Sequence, residues 1–231
     1  MTIPPTSSGY ADAQLDDYSG LKRSDFPWTA PATLRLQARA SHPSPPGTLG
    51  FGYWNDPFGV SLSGAGSLRR LPAPPQAMWF FHGSPPNDFT FADGGAGSGW
   101  KAATLRSIQY PSALLVPGAA VAFALGNLPL FRRWIVPLVR KQAEAVEVLL
   151  DSSLTDWHEY GITWRLDGAV FEVDGEVVAK SGAAPHPPLG FVAWIDNQYA
   201  VFSETKGIRF GLLPTYADHW LEIQDLHIER F

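Results

Sequence analysis

The sequence predicts an all-β domain of two antiparallel strand layers with one helical insertion. Three observations predict it. Gly (22) and Pro (21) are spread along 231 residues, which suits many strands separated by turns better than a helical bundle. Asp167-Gly168 and Asp174-Gly175 lie between alternating runs, and Asp-Gly tolerates the positive φ that tight hairpin turns demand. Gln76 to His82 is apolar on both faces, as a central strand of a two-layer fold must be.

A short phrase occurs twice. Residues 49–56 read Leu-Gly-Phe-Gly-Tyr-Trp-Asn-Asp and residues 189–196 read Leu-Gly-Phe-Val-Ala-Trp-Ile-Asp, sharing L-G-F-x-x-W-x-D. Both follow Pro/Gly-rich breaks and are rich in aromatic and β-branched residues, so both read as strands. Side chains alternate in a strand. Trp54 and Asp56 therefore share one face, as do Trp194 and Asp196, while Phe51, Tyr53, Phe191 and Ala193 point the other way. If the two strands lie close in one sheet, two Trp and two Asp line a candidate ligand face. The competing assignment makes both Trp core residues and both Asp turn formers.

Other elements follow in order. Residues 1–30 read as a polar, Pro-rich arm with Asp12, Asp16 and Asp17, anchored by Phe26 and Trp28. Residues 31–231 read as a single domain. Residues 33–40 alternate, with Leu34, Leu36 and Ala38 inward. Residues 59–75 read as a long loop. Phe89 and Phe91 read as a short strand, and 101–109 and 112–125 as two more. Between 128 and 147 the pattern changes: Phe131, Trp134, Ile135, Leu138, Val139 and Gln142 recur with helical spacing, with Arg132, Arg133, Arg140 and Lys141 elsewhere on the wheel and Pro137 as a kink. Strands follow at 160–166, 169–173, 176–180, 207–213 and 219–230, the last with a bulge at Gln224-Asp225.

Composition excludes several classes. With no Cys there is no disulfide, thiolate metal site or Cys nucleophile. The six His show neither H-x-H nor helical i, i+4 spacing, so no metal site and no cofactor is expected. A net charge of −5 offers no basic field for nucleic acid. The N-terminus has neither a positive nor an apolar signal region, so this form reads as cytoplasmic, or as a chain whose signal has been removed. The nine Trp are a heavy load, and some of them are expected in a cleft.

Trp157-His158-Glu159-Tyr160-Gly161-Ile162-Thr163-Trp164, followed by Val170-Phe171-Glu172-Val173-Asp174-Gly175, resembles paired strands of the laminarinase-like glycoside hydrolases in the concanavalin A-like lectin/glucanase superfamily. Ala77-Met78-Trp79-Phe80 and the closing Ile223 to Ile228 are similar to two more of its strands. The resemblance covers about a quarter of the chain and implies a two-sheet antiparallel jelly-roll sandwich with one concave face. It does not bring the catalytic residues. The family's Glu-x-Asp-x-x-Glu follows its A-x-W strand, where this chain reads Ser84 to Asp93, and there is no Glu before Glu144.

Two kinds of function fit. A carbohydrate-binding, lectin-like surface would use Trp54, Trp79 or Phe81, and Trp194 as flat faces, with Asn55, Asp88, Asn197, Asp56, Asp196 and His82 as orienting groups. A divergent glycoside hydrolase would use Asp56 with Asp196 as the carboxylate pair, His82 as a base, and Asp88, Asp93 or Glu204 as further acids. A third expectation is an apolar-ligand or membrane-surface protein making contact through the 131–142 helix.

Overall fold

The computed structural model describes residues 1–57, 70–92 and 94–231. Most of the expected loop 59–75, and Asp93, lie outside the described residues. The chain begins with β1 (Thr2–Ile3) and β2 (Asp12–Asp16), then β3 (Ala32–Ala40), β4 (Thr48–Trp54), β5 (Gln76–Gly83) and β6 (Gly99–Ser107). Helices α1 (Ser112–Gly126) and α2 (Arg132–Arg140) follow, then β7 (Ala143–Leu149), β8 (His158–Arg165), β9 (Gly168–Val173) and β10 (Glu176–Ser181). The last strands are β11 (Gly190–Asp196), β12 (Gln198–Ser203), β13 (Gly207–Leu212) and β14 (His219–Arg230).

Two six-stranded sheets face each other, in the orders β1-β14-β3-β8-β9-β10 and β2-β11-β4-β5-β6-β7, and all their pairings are antiparallel. β12 and β13 form a separate hairpin. This is the expected all-β sandwich. Alternation decides what goes inside. Leu34, Leu36, Tyr160, Ile162, Trp164 and Phe171 from the first sheet meet Leu49, Phe51, Tyr53, Phe80 and Phe191 from the second. Phe80 packs on Tyr160 at 4.9 Å and on Phe171 at 5.4 Å between centroids, and Tyr53 packs on Trp164 at 5.7 Å, distances typical of favourable aromatic pairs. The Asp174-Gly175 hairpin of β9-β10 forms as read, with φ of 52° and 80°. In the β8-β9 hairpin Arg165 pairs with Gly168, so the turn falls on Leu166-Asp167, one residue earlier than expected, and Gly168 opens the return strand. β14 shifts register between Gln224 and His227.

Four further expectations change. Residues 1–30 are more than an arm: β1 joins the first sheet and β2 edges the second, with Tyr18 and Phe26 buried beside Val192. Residues 112–125 are helix, because an apolar run without clear periodicity is decided by length, and this one is too long for an ordinary strand. The 128–147 helix shrinks to α2, since residues from Ala143 onward pair with β6 as an edge strand. Phe89 and Phe91 lie in no strand; only a parallel bridge joins Asp88 to Val201 nearby.

Candidate functional site

The face of the second sheet turned away from the core carries an aromatic platform. Register builds it. Trp194 lies opposite Gly50, which lies opposite Phe81; Val192 lies opposite Gly52, which lies opposite Trp79. β4 thus offers two glycines in the middle of the platform. A Cβ on Gly50 would come within 2.7 Å of Trp194 Cη2 and 2.3 Å of the Phe80 carbonyl, so the indole lies directly across bare backbone.

Trp54 and Trp194 run nearly parallel, 9° apart with centroids at 6.4 Å. Trp79 sits 6.2 Å from Trp54 and 5.4 Å from Trp194, and Phe81 sits 5.8 Å from Trp79. All four rings are half-buried. The indole N–H groups of the stacked pair are already used: Trp54 Nε1 donates to Tyr18 Oη at 2.6 Å, and Trp194 Nε1 to Thr48 Oγ1 at 3.0 Å. Satisfied N–H groups fix the rings and leave their faces as the available chemistry.

The polar border on one side comes from β2, which sequence reasoning assigned to the arm. Gln14 is in register with Trp194, Asp16 with Val192 and Asp12 with Asp196. Gln14 Nε2 donates to Asp16 Oδ2 at 2.9 Å and to Tyr18 Oη at 3.2 Å. The alternation of Asp12, Gln14 and Asp16 was the available signal for this strand. On the other side Lys101 spends its ammonium on Glu147 Oε2 (2.6 Å) and on the carbonyls of Phe89 and Ala96 (3.1 and 3.0 Å). Glu147 Oε1 accepts the Phe91 N–H at 3.0 Å. Beside this clamp, Trp79, Phe81, Phe89 and Phe91 line an apolar dimple of about 30 Å³, room for one water and not for a ligand. Among the described residues the platform is an open surface, not an enclosed pocket.

The other residues singled out from the sequence are elsewhere. β4 and β11 are antiparallel: Asp196 pairs with Thr48, whereas Asp56 lies beyond Trp54, which pairs with Gly190. Six residues of strand separate the two ends, roughly 20 Å, against the roughly 5–9.5 Å that a glycosidase pair requires. Asp56 is buried in an ion pair with Arg70 at 2.7 Å. Asn55 and Asn197 are buried clamps. Asn55 holds the Pro74 carbonyl and the Gln76 N–H, and Asn197 holds the Ala11 N–H and the carbonyls of Gly9 and Leu213. His82 shares the inward parity of Met78 and Phe80 and is 3% exposed; burial pushes its pKa down to about 4, so it is neutral at neutral pH and faces away from the platform. Asp88 pairs with Lys206 at 3.0 Å, and Glu204 with Arg140 at 3.5 Å.

The strand following Ala77-Met78-Trp79-Phe80 in space and sequence is β6, not the 84–93 segment. Its platform-facing residues are Lys101, Ala103 and Leu105. The strand following the A-x-W strand thus carries no carboxylate on this face.

No family model matches the sequence, and no curated protein does. Solved structures are similar in shape. A legume lectin-like domain from Entamoeba histolytica aligns with TM-score 0.48 at 10% identity, over 100% of this chain and 83% of that one. A glycoside hydrolase family protein from Mycobacterium thermorestibile aligns with TM-score 0.45 at 11% identity, over 99% and 75%. A GlcNAcα1-4Gal releasing endo-β-galactosidase from Clostridium perfringens aligns with TM-score 0.42 at 12% identity; it covers 93% of this chain, which spans only 44% of that enzyme. What the outer face can do therefore rests on its own residues.

Asp196 gives that face a pH signature. Burial pushes its carboxyl up to about 6; hydrogen bonds from Gln198 and Thr48 oppose the shift, and Asp12 across the strand adds to it. The unfolded value is about 3.9. The folded chain therefore holds a proton that the unfolded chain has released between about pH 4 and 6. That stabilisation is complete below about pH 4 and is lost as pH rises through 6. Asp196→Asn keeps an acceptor for Thr48 and Gln198 and stays neutral. Its melting temperature should exceed that of wild type at pH 7.5 and match it at pH 4, and an equal offset at both pH values would contradict the assignment.

Proposed function

We propose that the protein binds carbohydrate on the outer face of the second sheet, as a lectin-like surface. The observation that carries this is the platform of Trp54, Trp79, Phe81 and Trp194, with the Trp54 and Trp194 N–H groups satisfied and ring faces left to stack. A pyranose presents a flat C–H face to such rings, while Gln14, Asp16 and Thr48 at the border meet its hydroxyls. An open surface suits a segment of polymer better than a monosaccharide.

Affinity electrophoresis and calorimetry against β-1,3-glucan, mixed-linkage glucan, xylan and agar-type galactan test the proposal. Trp194→Ala is expected to weaken binding by about 2 kcal/mol, near 30-fold in Kd. Retardation by none of these polymers, or retardation unchanged in Trp194→Ala and Trp79→Ala, would remove it.

One observation favours hydrolysis as a second reading. Asp12 and Asp196 are directly cross-strand on this face, and burial raises both carboxyls. Two facing carboxyls on neighbouring strands are the kind of group that glycoside cleavage uses, and a raised carboxyl can serve as its acid. Reducing ends released by wild type and by neither Asp12→Asn nor Asp196→Asn would put cleavage first.

A further inference from the structure

We infer that the α1–α2 hairpin docks the protein on the surface of an anionic lipid bilayer. α1 carries no charge, and its apolar residues are not confined to one stripe. Leu114, Val121, Phe123, Leu130, Trp134 and Leu138 of the hairpin are 47–67% exposed. A helix apolar all round belongs in a core or in lipid, and this one stands largely in the open. It touches the rest of the fold at few places. Gly126 lies against Ile208, Phe123 stacks on Phe210, and Val136 of α2 is buried with Phe202.

Charge selects the occupant. From Tyr110 to Gln142 the chain has four cations and no Asp or Glu. Arg140 is tied to the fold through Glu204 and the carbonyls of Thr90 and Phe202. Arg132, Arg133 and Lys141 have no ion-pair partner among the described residues. A net-negative protein that gathers unpaired cations around its most exposed apolar element has the charge pattern that anionic headgroups complement. Trp134 is 67% exposed beside the Arg133 guanidinium, 5.7 Å from its centroid, a pairing suited to the headgroup boundary. A second copy of the chain fits less well, because a symmetric contact repeats the same cationic patch on both partners. The geometry is interfacial. α1 has 15 residues, about 22 Å of helix against a hydrocarbon core of about 30 Å, and no helix among the described residues is long and apolar enough to cross a membrane.

Vesicle flotation of the full chain tests this, with phosphatidylcholine alone and with phosphatidylcholine containing one-fifth phosphatidylglycerol. Wild type is expected to float with the anionic vesicles and to be released by 0.5 M salt. Arg132→Glu/Arg133→Glu should weaken that partition about 25-fold or more, and Leu128→Glu/Leu130→Glu should abolish it. Both variants should keep the wild-type melting temperature and the wild-type glycan binding, since neither touches the platform. Brominated acyl chains should quench wild-type emission more than that of Trp134→Phe. Failure of wild type to float with anionic vesicles would overturn the inference, as would equal flotation of all variants. A concentration-dependent dimer in light scattering that Leu128→Glu/Leu130→Glu dissociates, without flotation, would assign the face to a second copy instead.

Discussion

Replacing Asp56 by Ala is expected to lower stability by about 3–5 kcal/mol, because it strands a buried guanidinium. The Arg70 and Asp56 side chains are 4% and 2% exposed. Arg70 also donates to the carbonyls of Tyr18 and Leu21 and lies over the rings of Tyr18 and Phe26, at 5.4 and 4.9 Å. Arg23 binds the carbonyls of Asn55, Asp56 and Leu71 from the same side. Asp56 itself adopts φ of 46°, so the chain turns sharply there to bring its carboxylate to Arg70. Asp56 thus ties the end of β4 to the segment behind β2. Urea unfolding of Asp56→Ala and of Asp56→Ala/Arg70→Met measures the effect. The double variant should recover part of the loss, since removing both charges is far cheaper than leaving one. A single variant within about 1 kcal/mol of wild type would show that the pair is not load-carrying in this sense and would reopen a chemical role for the carboxylate.

Asp56 also marks where the sequence stops being informative. The doubled L-G-F-x-x-W-x-D phrase correctly brings two strands side by side and both Trp to one face, because period-2 alternation is a property of the backbone. It does not carry strand direction. The antiparallel pairing of β4 with β11 turns the phrase end for end, so the Trp residues meet across Gly50 while Asp56 and Asp196 part. The two Asn residues next to the Asp positions look equally ligand-like in sequence, yet both are buried under backbone groups that need partners. The inward place of His82 was legible, since it alternates with Trp79 and Phe81 and shares parity with Phe80. β2 was missed because short, mixed polar strands at a sheet edge carry little apolar signal. α1 is hard to see because its apolar run shows no helical period, and only its length separates it from a buried strand.

Glu147→Ala should likewise cost about 3–5 kcal/mol, and here the effect reaches the candidate binding face. The Lys101 and Glu147 side chains are 3% and 9% exposed, and the ammonium has three partners, only one of them charged. Losing the carboxylate leaves the cation with two carbonyls and frees the Phe91 N–H as well. The clamp joins β6, β7 and the segment carrying Phe89, Phe91 and Ala96, and Lys101 lies 5.5 Å from the Phe81 ring centroid. Loosening it removes the wall beside Trp79 and Phe81. Glu147→Gln keeps an acceptor for Phe91 but offers Lys101 no charge, so it should fall between wild type and Glu147→Ala. In a double-mutant cycle with Lys101→Met, the coupling energy should exceed about 2 kcal/mol, because each single variant leaves a desolvated charge unpaired and the double variant leaves none. Additive losses would mean that the two groups do not depend on each other. The glycan affinity of the folded Glu147→Gln protein measures the functional consequence. If the aromatic platform is the binding surface, Kd should rise where the clamp is weakened even though no ligand-facing ring has been changed.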